Sequence, residues 1–147
     1  MEKQNIKFFS IIDYSQSPGP RYCIQGADSG EDFYHKKLNR IFAEAYQEGA
    51  VLCITLDGAD GYASSFLDEA FGNLVYDFSA AIVLSHLEII SNDEDIWIKM
   101  IKEETIPEWE KRRNNCEQAK VTENHDKWFR LDNNGQLKEE VWIQKAS

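Results

Sequence analysis

The chain has 147 residues, with 26 Asp and Glu against 16 Lys and Arg, and its formal net charge is −10 at pH 7. This charge argues against a nucleic-acid partner, because affinity for a phosphate backbone comes from clustered Lys and Arg. Eight Phe, six Tyr and four Trp within a hydrophobic content of 42% argue against a disordered chain and favour one compact domain.

The cysteines and histidines show no spacing typical of a metal site. There are three of each, namely Cys23, Cys53, Cys116, His35, His86 and His125. We therefore expect reduced, structural thiols, and neither a metal nor another cofactor. The first residues lack the basic start and apolar run of a secretion signal, and no stretch approaches the roughly 18 apolar residues of a membrane helix. These features predict a cytoplasmic protein that does not bind a membrane.

Two strands and a helix are predicted in the first third of the chain. Residues 6–14 indicate a strand, and residues 21–25 indicate a second, shorter one. The loop between them contains Pro-Gly-Pro, which removes backbone donors and favours a turn. A helix then begins at Ser29, which with Asp32 matches a capping box, and Gly49 is its expected end.

The next strand, turn and helix are the centre of the prediction. Residues 51–56 are apolar without alternation, which is typical of a central, parallel strand. A turn at residues 58–61 leads to Ser64 and Ser65, and the helix after them has one apolar face made of Leu67, Phe71, Leu74, Val75 and Phe78. Hydroxyl groups therefore lie where a strand ends and a helix begins, which is the usual binding edge of open α/β sheets.

The remaining elements are less regular. Residues 87–90 indicate a short strand, while residues 80–84 fit either the end of the preceding helix or the start of this strand. Asn92 or Asp93 is the expected cap of a helix, and Pro107 opens a further, mostly charged helix that reaches about residue 119 and faces solvent or a partner. The last part of the chain predicts a hairpin with strands at residues 127–131 and 136–143 around an Asn-Gly turn.

Two motifs resemble a known family. Residues 56–72, Leu-Asp-Gly-Ala-Asp-Gly-Tyr-Ala-Ser-Ser-Phe-Leu-Asp-Glu-Ala-Phe-Gly, and residues 20–33 upstream are similar to the bacterial STAS-like domain family of unknown function. That family is itself similar to STAS domains, the fold of the anti-sigma factor antagonists. The resemblance covers about residues 5–103. It implies an α/β fold with a mixed sheet of four or five strands and packed helices at residues 1–105, and leaves residues 106–147 as a helix and hairpin extension packed on the same domain.

The resemblance also implies a modification site. In STAS regulators, a serine at the start of this helix is phosphorylated by a kinase that shares the fold of histidine-kinase ATPase domains, and the phosphate breaks the complex between them. Ser65 takes that position and Ser64 is its neighbour. The family pattern has an acidic residue before the serine pair and a glycine after it, where this chain has Ala63 and Phe66. The alternative is that both serines only cap the helix.

Further residues around these motifs are candidates for contact with a partner or ligand. They are Arg21, Ser29, Gly30, Glu31, Asp57, Asp60, Phe66, Asp68 and Glu69. Arg21 is expected to pair with Asp57, Asp60 or Glu31, or to bind an anion. Asp57 and Asp60 lack the alternating ligands and distant glutamate of a calcium loop, so they are interpreted as turn residues.

Together these features predict a non-enzymatic regulatory module that binds another protein. By resemblance, the partner is a histidine-kinase-like ATPase in bacterial signalling or phage defence. The alternative is a small-ligand or nucleotide sensor, or an enzyme, with a polar pocket at the carboxyl edge of the sheet; its polar groups would be Arg21, Glu31, Asp57 and Ser65. Trp109, Trp128 and Trp142 lie outside the resemblance and fit either packing or an interface, including self-association through the extension.

Overall fold

The computed structural model describes residues 5–141 and contains two small sheets. The first has three parallel strands in sequence order, β1 (Ile6–Ser10), β2 (Val51–Thr55) and β3 (Leu87–Ile90). The second is an antiparallel hairpin of β4 (Trp128–Leu131) and β5 (Leu137–Glu140). The predicted α/β class is confirmed, and β2 is the central, parallel strand, although its sheet is parallel throughout rather than mixed.

Helices pack on one face of the parallel sheet. Leu52 and Ile54 of β2 are fully buried on that face. The opposite face carries Phe8 of β1, which is paired with Cys53 of β2. Phe8 has an exposed fraction of 75%. Side chains on neighbouring positions of a strand point to opposite faces, so the burial pattern locates the core on the helical side.

Six α-helices and two π-helical turns complete the main fold of the described residues. In chain order they are α1 (Gly30–Phe33), a π-helical turn (Tyr34–Leu38), α2 (Asn39–Glu48), α3 (Ser64–Phe78), α4 (Ala80–His86), α5 (Ile96–Met100), a second π-helical turn (Ile101–Thr105) and α6 (Ile106–Asn114). The predicted start and end of the first helix are confirmed. Ser29 Oγ accepts a hydrogen bond from the Asp32 N–H, and Gly49 ends α2 with a left-handed φ of 67°.

The structure corrects several predicted boundaries. The first strand ends at Ser10, and Ile11–Asp13 form a 3-10 turn instead. Cys23–Gln25 are also a 3-10 turn rather than a strand. Residues 80–84 belong to a separate helix, because Ser79 has a φ of 85° that breaks the helical path after α3.

The carboxyl-terminal part differs from its prediction in one important respect. The helix at Pro107 continues α5 through the second π-helical turn and does not face only solvent, because Trp109 is 1% exposed and packs against α3. It ends at Asn114, earlier than predicted. The Asn-Gly hairpin is confirmed, while Trp142 and Ile143 lie outside the described residues. Within residues 5–141, no helix combines the length and apolar character needed to cross a membrane.

Candidate functional site

The first turn of α3 presents the two candidate hydroxyl groups. The helix is preceded by Ala63 in an extended conformation, and no side chain among residues 5–141 caps it. Ser64 is exposed and Ser65 is half-buried. The capping alternative for the two serines is therefore wrong, and within the described part of the chain neither hydroxyl has a hydrogen-bond partner. Both remain at the junction between β2 and α3 where they were predicted.

An arginine and two carboxylates lie beside this turn. Arg21 Nη1 is 2.8 Å from Asp68 Oδ2 and 3.0 Å from Glu69 Oε1. Burial raises the pKa of Glu69, although Asn73 and Arg21 donate hydrogen bonds that favour its charged form. The predicted pairing of Arg21 with Asp57, Asp60 or Glu31 is wrong, because the chain brings the guanidinium to α3 instead. A depression of about 190 Å³ is lined by Arg21, Ser64, Asp68, Met100, Glu104 and Thr105.

Asp57 and Asp60 belong to a separate loop cluster. Asp57 accepts hydrogen bonds from the Asn92 side chain and the Asp93 N–H, both at 2.9 Å, so it links the loops that follow β2 and β3. The Asp93 N–H is also the main cause of the lowered pKa of Asp57. Asp60 accepts hydrogen bonds from Ser17 and Gln16. These contacts agree with the interpretation of both aspartates as turn residues.

Glu31 lies in the interior, with an exposed fraction of 0%. Its carboxylate accepts hydrogen bonds from the Cys23 N–H at 3.1 Å and the Thr122 hydroxyl at 2.6 Å, and His125 Nε2 lies 2.7 Å away. Backbone N–H groups of Thr122 and Glu123 also donate to it. Burial alone would raise the pKa of Glu31, but these donors lower it to about 2. Glu31 therefore anchors a distant segment of the chain.

No local pattern in the sequence indicates the partners of Glu31. Thr122 and His125 are 91 and 94 positions away along the chain, beyond the range of any local spacing rule. Ser29 and Gly30 are also buried. Ser29 caps α1, and Gly30 lies so close to α3 that an added Cβ atom would be 2.4 Å from the Phe66 carbonyl oxygen.

The sequence also did not predict the buried position of a further carboxylate, that of Asp77. Asp77 of α3 is 2% exposed, accepts a hydrogen bond from the Tyr34 hydroxyl, and lies 2.7 Å from Arg130 Nε of β4. Burial raises the pKa of Asp77 to about 6, against the opposing effect of Arg130. Asn39 holds the tyrosine by donating to its oxygen at 2.9 Å. Asp77 and Arg130 line a cavity of about 350 Å³ between α3 and the hairpin.

The predicted contact residues do not form one site. Phe66 and Glu69 are buried, as are Ser29, Gly30 and Glu31, so their side chains are not available to a partner at the surface. Asp60 is exposed, and Arg21, Asp57 and Asp68 are half-buried. The polar pocket expected from Arg21, Glu31, Asp57 and Ser65 is not formed, because the first three have separate sets of partners. Of the predicted contact residues, Arg21 and Asp68 lie together beside Ser64 in the first turn of α3, although the sequence did not predict that they pair with each other.

A comparison with known families agrees with this architecture. Residues 29–97, somewhat less than half of the chain, match the model of a family described as STAS-like domain of unknown function (DUF4325). The match includes β2, α3 and β3 and therefore the whole motif at residues 56–72. It begins within the upstream motif and ends near the start of α5, so it is shorter than the predicted resemblance. No curated protein and no solved structure matches the chain significantly.

Proposed function

We propose that this protein is a non-enzymatic regulatory module that binds another protein, because residues 29–97 match the model of a STAS-like domain of unknown function. The binding surface would be the first turn of α3 together with Arg21 and Asp68. The observation that carries the proposal is the position of Ser64 and Ser65, whose hydroxyl groups have no partner among the described residues and lie beside an ion pair at the surface. Such hydroxyl groups are accessible to a modifying enzyme.

Phosphorylation of either serine would change the charge of this surface. A phosphate adds about −1.5 to −2 charge, and it would lie near the carboxylates of Asp68 and Glu104, which line the same depression as Ser64. Arg21 is the nearest cation and is already paired with Asp68 and Glu69. The phosphate would therefore compete with Asp68 and Glu69 for Arg21, and it would repel the carboxylates of Asp68 and Glu104. Both effects would change the binding surface, which favours release of a partner.

The partner is expected to be complementary to an acidic surface. Asp57, Asp60 and Asp68 have carboxylates at or near the carboxyl edge of the parallel sheet, and the net charge of the chain is −10. Electrostatic complementarity favours a basic patch on the partner. By its resemblance to STAS regulators, we propose a histidine-kinase-like ATPase as the partner, in cytoplasmic bacterial signalling or phage defence.

The experiment is a binding measurement with a matched set of variants. An ATPase of this class encoded beside the gene is purified, and its dissociation constant is measured by calorimetry for Ser64→Ala, Ser64→Asp, Ser65→Ala and Ser65→Asp. We expect both alanine variants to bind like the wild type and at least one aspartate variant to bind at least about tenfold more weakly, because the added carboxylate competes with Asp68 and Glu69 for Arg21 and disturbs the ion pairs at the binding surface. Phosphopeptide mapping after incubation with ATP and the partner identifies the modified serine.

Ser85→Asp is the control, because Ser85 is an exposed residue on α4, outside the proposed surface. This variant should bind like the wild type. Equal affinities for all variants, together with the absence of phosphoserine at positions 64 and 65, would refute the switch. Failure of the wild-type protein to bind the ATPase would refute the proposed partner.

A further inference from the structure

Three side chains of the kinds that bind metal ions meet beside the start of α1. Cys23 belongs to the 3-10 turn before the helix, Glu31 to its first turn, and His125 to the segment before β4. The Cys23 sulfur, a Glu31 carboxylate oxygen and a His125 ring nitrogen all lie within 4.8 Å of one another. We propose that Cys23, Glu31 and His125 form a binding site for Zn²⁺. This inference does not depend on the function proposed for the first turn of α3.

The chemistry of the three groups fits zinc. A thiolate, an imidazole nitrogen and a carboxylate oxygen are the ligands that protein zinc sites use, and three protein ligands leave a fourth tetrahedral position for water. His125 Nε2 and Glu31 Oε2 are 2.7 Å apart, which is a hydrogen-bond distance. A zinc ion would replace the proton between them and separate the two atoms to about 3.3 Å, the edge of a tetrahedron with bonds of about 2.0 Å.

Binding has a defined proton balance. The Cys23 thiol must lose its proton to become a ligand, and the His125 Nε2 must also be free of hydrogen. Protons are therefore released as the Zn–S and Zn–N bonds form, and no oxidant or reductant is required.

Neighbouring groups hold the ligands in place. The Ser29 hydroxyl lies 3.3 Å from the Cys23 sulfur as a donor, and its oxygen is fixed by the Asp32 N–H at 3.0 Å. The Thr122 hydroxyl donates to Glu31 at 2.6 Å. Hydrogen bonds of this type orient metal ligands and tune their basicity. The set thus has the second layer of contacts that metal sites require.

His35 supports the site without being a ligand. Its ring stacks on His125 with 4.2 Å between centroids and 10° between planes. A metal ion bound to a histidine lies in the plane of that ring, so an ion bound to His125 lies outside the plane of the parallel His35 ring. The buried His35 ring therefore restricts the orientation of His125 and leaves the coordination to Cys23, Glu31 and His125.

An ion can reach the site from solvent. Cys23 lines an open cavity of about 310 Å³ together with Asp28, Asp32 and Glu123. The carboxylates in this cavity attract cations, and they lie on the approach to the thiol. His125 lines a second open cavity of about 490 Å³.

The test uses the full chain after treatment with a chelator. Zn²⁺ binding is measured by calorimetry, and Co²⁺ is added as a spectroscopic substitute whose thiolate complex absorbs in the near ultraviolet. We expect one ion per chain, a cobalt–thiolate band, and loss of that band in Cys23→Ser. Zn²⁺ affinity should fall roughly 100-fold or more in Cys23→Ser and in His125→Gln, because each change removes one of three ligands.

Cys116→Ser is the matched control, because Cys116 is an exposed thiol remote from the cluster in sequence. It should keep the affinity and the cobalt band of the wild type. The inference is overturned if the wild-type chain binds no Zn²⁺, if Cys23→Ser retains the band, or if Cys116→Ser loses it. Circular dichroism shows whether each variant is folded. If Cys23→Ser is unfolded, the Zn²⁺ affinity of His125→Gln and the number of ions bound per wild-type chain decide whether the site exists.

Discussion

Three buried carboxylates, Glu31, Glu69 and Asp77, each have a cationic or ionisable partner from a distant part of the sequence. An unpaired charge in the interior is very costly, and a buried pair is stable only when hydrogen bonds satisfy its remaining atoms. Each of the three carboxylates meets this condition by accepting hydrogen bonds from further side chains, namely Thr122, Asn73 and Tyr34. The interior of the protein is therefore specified by polar pairs as well as by apolar packing.

Replacement of Glu31 tests this at a single residue. Glu31→Gln keeps the shape of the side chain but puts an N–H₂ group against donors that now bind a carboxylate oxygen. We expect the free energy of unfolding to fall by about 2–4 kcal/mol, the range for a broken buried charge network. Urea denaturation monitored by circular dichroism measures the change. Glu44→Gln, an exposed residue of α2, is the control and should stay within about 0.5 kcal/mol of the wild type.

Asp77 leads to a prediction about pH. Its pKa is raised to about 6 in the folded protein, above the value of 3.8 for an ordinary aspartate. Between these values the folded state binds a proton that the unfolded chain has lost, so the contribution of Asp77 to stability grows as pH falls from about 6 towards 4. We subtract the unfolding free energy of Asp77→Asn from that of the wild type. This difference should increase as the pH falls over this interval, by an amount on the order of 2 kcal/mol.

The measurement is urea denaturation of both proteins at several values between pH 7 and pH 4. The exposed variant Asp126→Asn serves as the control for replacing an acid at the surface. A wild type minus Asp77→Asn difference that stays constant across the interval would contradict the raised pKa.

At the scale of elements, α3 is covered on two sides. Its apolar face packs towards the parallel sheet, and the side that carries Glu69, Asn73 and Asp77 is buried as well. Helix α6 packs on α3 beside Asp68 and Gly72, where Trp109 lies so close that a Cβ atom added at Gly72 would lie 2.1 Å from Trp109 Cε2. Glycine is therefore required at this position by the distance between two helices.

Gly72→Ala should consequently destabilise the protein, although alanine favours a helix by about 1 kcal/mol. We expect the unfolding free energy to fall by about 2–3 kcal/mol, because the methyl group forces the indole or the helix to move. In a Trp109→Leu background the same change should cost at least about 1 kcal/mol less, which a double-mutant cycle measures. An equal cost in both backgrounds would show that the contact with Trp109 is not the reason.

The periodicity of the sequence predicts part of this arrangement and misses the rest for a physical reason. A repeat near 3.6 residues identified the apolar face of α3, but it assigns polar residues to solvent by default and cannot represent a second layer such as α6. The predicted end of the first strand was wrong for a similar reason: the strand stops at Ser10, Ile11 is buried within a 3-10 turn, and apolar content alone does not distinguish a strand from a turn. Short-range signals such as Ser29, Gly49 and the Asn-Gly turn were predicted correctly because their geometry is local.

At the scale of the whole molecule, the carboxyl-terminal segment is bound to residues 29–97 at three points. Thr122 and His125 bind Glu31, Phe129 exchanges hydrogen bonds with Asn39, and Arg130 pairs with Asp77. The predicted division at residue 105 stays a prediction, but these contacts cross it. The candidate surface at Ser64 was predicted from sequence because it is local, whereas the cluster of Cys23, Glu31 and His125 depends on this long-range closure.

A shortened chain tests this dependence. A protein that ends at residue 118 keeps α6 but lacks Thr122, His125 and Arg130, so Glu31 would lose most of its hydrogen bonds and Asp77 would lose its cation. We expect loss of a cooperative thermal transition, measured by circular dichroism and calorimetry. The full chain with Lys138→Ala, a change on the exposed side of β5, should retain the transition. A shortened chain that unfolds cooperatively near the wild-type temperature would contradict the prediction.

The distance along the chain between the two carboxylates and these partners also bears on synthesis by the ribosome. The residues that close the interior around Glu31 and Asp77 lie between positions 122 and 130, so they leave the exit tunnel well after the two carboxylates themselves. Until then the nascent chain must keep both carboxylates hydrated, because dehydrating them alone is unfavourable. Native packing around Glu31 and Asp77 is therefore completed only after residues 122–130 have emerged, and not residue by residue as the chain is made.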